Sequence, residues 1–266
     1  MPTGLKLEEY VKEVLEDEVD RPDCFLPDAQ ALLVAEGEEE VCPSIFGYPT
    51  SPLFRCLAAM LQTWMERKHC PVLDLPKYDL LDEKTYTEFR AAVIASVTPL
   101  LVGLQSLWRD WGREEIKFRI REVLVLLGKR GIMDLLGLRK TVGSQEIFPP
   151  SRARLLASFK QKHSANSDLS VGARALSKHY HRDQSTSWWG NCTGKEEDKN
   201  VYALGKVEDI LDNAHWINIH WLPQDIYILE CRQGGGYGAR WLADGSSFRG
   251  FLEPQMEGGH EAGWRH

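Results

Sequence analysis

The side chains best placed for chemistry lie in three strand-like runs near the end of the chain, 226–232, 237–243 and 247–253. They carry Glu230, Arg232, Arg240, Arg249 and Glu253. Asp244-Gly245 reads as a two-residue hairpin turn. Such a turn pairs Trp241 with Phe248 and sets Arg240 directly opposite Arg249. Like charges opposed on a ladder cost some tenths of a kcal/mol, up to about 1. Something negative is therefore expected between them. Glu253 and Glu230 are candidates, and so is a bound phosphate or carboxylate, which guanidinium forks suit. Trp188, Trp189 and Trp264 stand in polar, Gly-flanked surroundings. They read as core residues, or else as anchors for a partner or stacking platforms for a base.

Other chemistry finds less support. His179 and His181 share a face on a strand but diverge on a helix, so we expect no metal there. His260-Glu261 begins a zincin motif that Trp264 breaks. Cys192 precedes an expected helix start; we read it as a small residue at a cap rather than as a nucleophile. Gly234 to Gly236 join two strands, whereas a phosphate-cradling loop leads from strand to helix. No cofactor is expected.

The elements around these residues fall into two halves. Apolar periodicity predicts a short amphipathic helix over 5–19, with a Pro-punctuated acidic stretch after it. We expect residues 1–50 to be an acidic, partly disordered arm. Residues 51–140 form a helical domain in this reading. One helix starts at Ser51-Pro52, and another at the Thr85-x-x-Glu88 capping box, with a kink at Pro99 or a division there into two helices, Thr98 capping the second. A further helix spans 113–127 and closes at Gly128 and Gly131. Its stretch Val123–Leu127 is apolar all round, which suggests full burial. Residues 141–169 read as a linker containing a short helix, 152–162. Residues 170–266 read as an α+β domain: helices near 170–180 and after the Thr193-x-x-Glu196 capping box, then the antiparallel strands, the first at 216–222. The fold class is therefore α+β, an all-helical N-terminal domain followed by a small α+β domain with an antiparallel sheet.

The net charge of −7 is concentrated at the start, where residues 1–50 hold 3 basic and 13 acidic side chains. We read that segment as a solvated arm; the alternative is that it covers the basic face of residues 109–130. The composition, 43% hydrophobic and 27% charged, is that of a soluble globular protein. No run of 18 uncharged apolar residues occurs, so no membrane helix is expected. The first residues resemble neither a signal nor a transit peptide, and the six cysteines lack C-x-x-C spacing. A cytoplasmic or nuclear protein with reduced thiols is the expectation.

The strings GYGARW, DGSSFRGFLEP and GHEAGWRH resemble the C-terminal block of an intracellular eukaryotic protein family with no known activity. That resemblance implies an intracellular location and assigns no site residue. The reading at this point is a non-enzymatic binding or adaptor protein whose C-terminal sheet recognises a polar or anionic ligand or peptide. The alternative is an enzyme acting on a phosphate-bearing substrate, a nucleotide or nucleic acid, at the same sheet. Another protein is the expected partner and an anionic small molecule a candidate ligand. Nucleic acid ranks behind both, and no membrane is expected.

Overall fold

The computed structural model describes residues 4–36, 45, 47–76, 84–179 and 187–254. Glu38–Glu40, Cys42, His181, His260, Trp264 and His266 lie outside these residues. The chain is α+β: a helical N-terminal region precedes a domain with antiparallel sheets, at about 52% helix and 16% strand. Two compact units result, residues 1–45 with 49–140, and residues 46–48 with 141–266.

The first unit holds α1 (Gly4–Val19), α2 (Gln30–Leu33), α3 (Leu53–Arg67), α4 (Lys84–Leu107) and α5 (Arg113–Leu135). The N-terminal segment differs from the expected arm. Leu7, Val11, Val14 and Leu15 on α1 are buried, as are Leu26, Ala29 and Leu32 beyond it. The reason lies in two matched patterns. The apolar stripe of α1 packs against α3 and α5, while its acidic residues meet basic residues of α5. Glu13 pairs with Arg113, Asp17 with Lys117 and Glu18 with Arg121, and Asp28 after α1 with Lys129. The solvated-arm reading thus gives way to its alternative.

Helix α4 runs through Pro99 without a break. Thr98 Oγ1 donates to the Ile94 carbonyl at 2.8 Å and accepts from Trp64 Nε1 at 3.2 Å. Residues Tyr86–Leu107 are long and apolar enough to cross a membrane by length and composition. Between Arg90 and Arg109 no residue is charged, but Ser96, Thr98, Gln105 and Ser106 break the apolar run on which the sequence criterion rests. Ile94, Val97, Leu101 and Leu104 face the core, whereas Phe89 and Leu107 are exposed. In α5 the expected break falls at Gly128, whose φ of 58° is left-handed. Full burial of Val123–Leu127 does not occur: Val125 and Leu126 are exposed.

The second unit holds α6 (Arg152–Lys160), β1 (Lys162–Ser164), β2 (Ser167–Ser170), α7 (Val171–His179), α8 (Glu196–Asp212), β3 (Ala214–Leu222), β4 (Ile226–Gln233), β5 (Gly238–Leu242) and β6 (Phe248–Leu252). Residues 141–169, read as a linker, belong to it. Leu155 and Phe159 of α6 are buried, and β1 pairs with β2 as a hairpin. The capping of α8 also differs. Asp198, not Glu196, accepts from the Lys195 backbone at 3.2 Å. Glu196 instead accepts from Ser167 Oγ and the Asp168 N–H, at 2.6 and 2.7 Å.

Strands β3-β4-β5-β6 form an antiparallel meander in sequence order. Side chains alternate across its two faces. Ile217, Ile219, Leu229, Cys231, Ala239, Trp241, Phe248 and Phe251 are buried on one face, which helices α6, α7 and α8 pack against. Trp241 Nε1 donates to the Leu155 carbonyl at 3.2 Å, tying α6 to this core. At Gly172 an added Cβ would lie 2.0 Å from the Phe159 ring, so only glycine lets α7 approach α6.

Candidate active site on the second face of the sheet

The alternation that builds the core sends the intervening residues of the meander to the other face. Cross-strand partners there run Asn218, Glu230, Arg240 and Gly250, in that order over four strands. His220, Ile228 and Leu242 form the next row, and Trp216, Arg232 and Gly238 the row before. Glu230 therefore sits between two guanidiniums and an imidazole. Its Oε2 lies 3.4 Å from Arg232 Nη2, and its Oε1 lies 3.7 Å from His220 Nε2.

Each member is held from a different direction. Arg232 is buried at 1% exposure, and its Nη1 donates to the Gly236 and Glu253 carbonyls at 2.8 and 2.9 Å. Those bonds make it a fixed buttress for Glu230. His220 is steadied by the 141–145 loop, which extends the β3 edge. Gln145 N–H donates to the Ile219 carbonyl, the Trp221 N–H donates to the Gly143 carbonyl, and Ser144 bridges His220. Asn218, at 1% exposure, pins that loop: Ser144 Oγ donates to its Oδ1 at 2.8 Å, and its Nδ2 donates to Thr141 Oγ1 at 2.7 Å.

Burial is the main force lowering the His220 pKa below its ordinary value, with Arg232 and Arg240 adding to it and Glu230 opposing. Burial likewise lowers the pKa of Arg232. Arg240 is half-buried and forms no ion pair among the described residues; its Nε has no hydrogen-bond partner. His220 Nδ1 is also buried without one. Two unsatisfied donors or acceptors beside a carboxylate are costly unless something fills them. Cys231 faces the core, and complete burial raises its thiol pKa well above the usual range. Among the described residues no group of three or more His, Cys, Asp or Glu side chains is placed to hold a metal ion.

The sequence-derived candidates fare unevenly. Glu230, Arg232 and Arg240 do come together. Arg249 does not oppose Arg240. Trp241 pairs with Phe248 as expected, but a bulge follows and Arg240 pairs with Gly250. Gly250, at φ 132°, absorbs the extra residue, and Arg249 is left exposed on the bulge. Glu253 turns to α7, where its Oε1 meets His179 Nδ1 at 2.8 Å. Trp189 is a core residue at 0% exposure, edge-on to His179, Tyr237 and Phe251. Trp188 stacks on Tyr237 at 4.3 Å with Lys206 Nζ 4.4 Å from its ring centre. Trp264 lies outside the described residues. His220 and Asn218 are the members that sequence reasoning missed.

Residues 159–253 match the family model of the CdiA C-terminal tRNase toxin domain. The match covers about a third of the chain and includes β1 to β6. No curated protein and no solved structure matches the chain. The family match corrects two expectations. The C-terminal block is similar to a bacterial toxin family rather than to a eukaryotic family without known activity. The match overturns the non-enzymatic adaptor reading, with its protein-binding and anion-binding roles, and backs better the alternative of an enzyme acting on a phosphate-bearing substrate, since a tRNase domain acts on nucleic acid.

Proposed function

We propose that the second unit cleaves phosphodiester bonds in nucleic acid, and that tRNA is its substrate. The observation that carries this reading is the Glu230–His220–Arg240 group on one face of a meander lying inside the matched region. A carboxylate and an imidazole within reach of one another can divide proton transfer between them. Arg240, whose Nε has no hydrogen-bond partner among the described residues, adds a guanidinium where a phosphate oxygen would gain charge in the transition state. Arg232 and Asn218 are positioning residues: the first fixes Glu230, the second fixes the loop that steadies His220.

The test is incubation of the whole protein with a tRNA transcript, with products separated on a denaturing gel. Wild type is expected to cut at discrete positions. Arg240→Ala is expected to lower the rate by about 10²- to 10³-fold, as for loss of a transition-state donor. Its melting temperature should stay near that of wild type, because Arg240 is not a core residue. Full activity in Arg240→Ala would remove this site from the reaction.

A further inference from the structure

We infer that nucleic acid is held, by its phosphates, along a cationic track that leaves the meander at the β6 edge and crosses α7 to α6. This deepens the reading above and rests on its substrate, nucleic acid. Three elements packed on one another carry the track: α6 on α7, and both on β6. Their sequences, RARLLASFK, VGARALSKH and FRGFL, hold six Lys or Arg and no Asp or Glu. Helix α8, which also packs on α7, holds six acidic residues and two lysines. The helical layer of this unit is thus split by sign. A polyanion is drawn to α6 and α7 and repelled from α8.

A cation already paired with a carboxylate holds phosphate poorly, so the pairing of each one matters. Arg152 pairs with Asp212, and Arg154 lies 4.0 Å from Asp244. Lys160, Arg174, Lys178 and Arg249 are exposed, and their side chains form no ion pair among the described residues. Arg174 and Lys178 stand four apart on α7, opposite its buried side of Gly172, Ala173, Leu176 and His179. Lys160 and Lys178 also complement the C-terminal ends of their helices; Arg174 and Arg249 have no such duty. Strand β6 ends the meander, and its bulge leaves Arg249 exposed next to Gly250, the cross-strand partner of Arg240. Arg249 therefore links the site face to the helical side. A charged bulge on an end strand also discourages pairing with another chain, but that role leaves RNA affinity unchanged. The helices cover the face opposite the site, so their cations hold RNA away from the reacting phosphate.

The experiment measures binding of a fluorescent tRNA transcript to the whole protein from about 50 to about 200 mM salt. All chains in it carry Arg240→Ala, which slows cutting, and melting curves check that each is folded. Each phosphate contact adds about 0.7–0.9 to the slope of log affinity against log salt. Arg174→Ala/Arg249→Ala should therefore lower the slope by about 1.5, and adding Lys160→Ala and Lys178→Ala by about 3 in all. Over that range the intact track then loses about 50- to 150-fold more affinity than the quadruple variant. Lys12→Ala/Arg109→Ala, which removes two exposed cations from the first unit, should leave the slope unchanged. In chains that keep Arg240, the quadruple variant should raise KM on tRNA and hold kcat within about twofold. An unchanged slope in the quadruple variant, an equal loss in the Lys12/Arg109 pair, or no binding of tRNA overturns the track. The cleavage reading is then judged by its own gel. The expected slopes in a protein that cuts no RNA or DNA keep the track and overturn the cleavage reading.

Discussion

His220 is where chemistry and stability pull in opposite directions. Its pKa lies below the ordinary 6.5, from burial first and then from Arg232 and Arg240. As a proton donor it works only when charged, so activity is expected to fall as pH rises through a value below 6.5. The alkaline limb of kcat/KM against pH should therefore lie on the acid side of neutrality. In His220→Gln that limb should vanish along with most of the rate. A limb of unchanged position in the variant would assign it to another group. Stability runs the other way. A depressed imidazole contributes stability that is present above 6.5 and is lost as pH falls through the folded value. The conditions that charge the donor are those that loosen its setting. The three fixed neighbours, Ser144, Asn218 and Arg232, keep the sheet face in register while that happens.

At the scale of elements, the edge of β3 decides whether His220 is held. Asn218→Ala removes the partners of Ser144 and Thr141 together. Both are half-buried and keep the bonds they make to each other, so the loss is that of two hydrogen bonds, about 0.5–1.5 kcal/mol each, visible in a thermal melt. The rate should also fall while RNA binding through Arg240 persists; a variant with lower stability but full rate would show that the loop has no bearing on His220. The strands themselves were legible in the sequence. Alternation and Asp244-Gly245 give all four to within about two residues, because each buries one face and a tight turn fixes one pairing. The bulge at Arg249 was not legible, since register arithmetic assumes one residue opposite one. Gly250, which tolerates φ 132°, was its available signal. Asn218 and His220 were hidden by their surroundings, a strand reading AHWINIHWL. The clue was spacing: two polar residues two apart in an apolar strand match Glu230 and Arg232, two apart in the next. The β1–β2 hairpin left no apolar pattern to read, because its strands, KHS and SDLS, are almost wholly polar.

At the scale of the whole molecule, composition misled where it was taken for location. Thirteen acidic side chains in fifty residues suggested solvent, yet successive turns of α1 carry Leu7, Val11, Val14 and Leu15 into a core. Burying a Val or Leu side chain is worth about 1.5–3 kcal/mol. Removal of residues 1–33 should therefore lower the melting temperature of the first unit by well over 5 °C, at roughly 2–4 °C per kcal/mol. The second unit has a similar boundary question at its own start. Cutting before 167 removes Leu155 and Phe159, and with them the carbonyl that receives Trp241 Nε1. It also removes β1 from β2 and the 141–145 loop from β3. Cutting before 141 keeps all of these and loses the Gly47–Tyr48 strap, whose backbone donates to the Ala214 and Leu211 carbonyls. The expectation is a fragment 141–266 that melts cooperatively and cleaves RNA, and a fragment 167–266 that does neither. Circular dichroism melts of the two, beside the whole chain, make the comparison. Cooperative melting of 167–266 would show that α6 and the loop decorate the sheet rather than complete it. The site face would then owe its geometry to the meander alone.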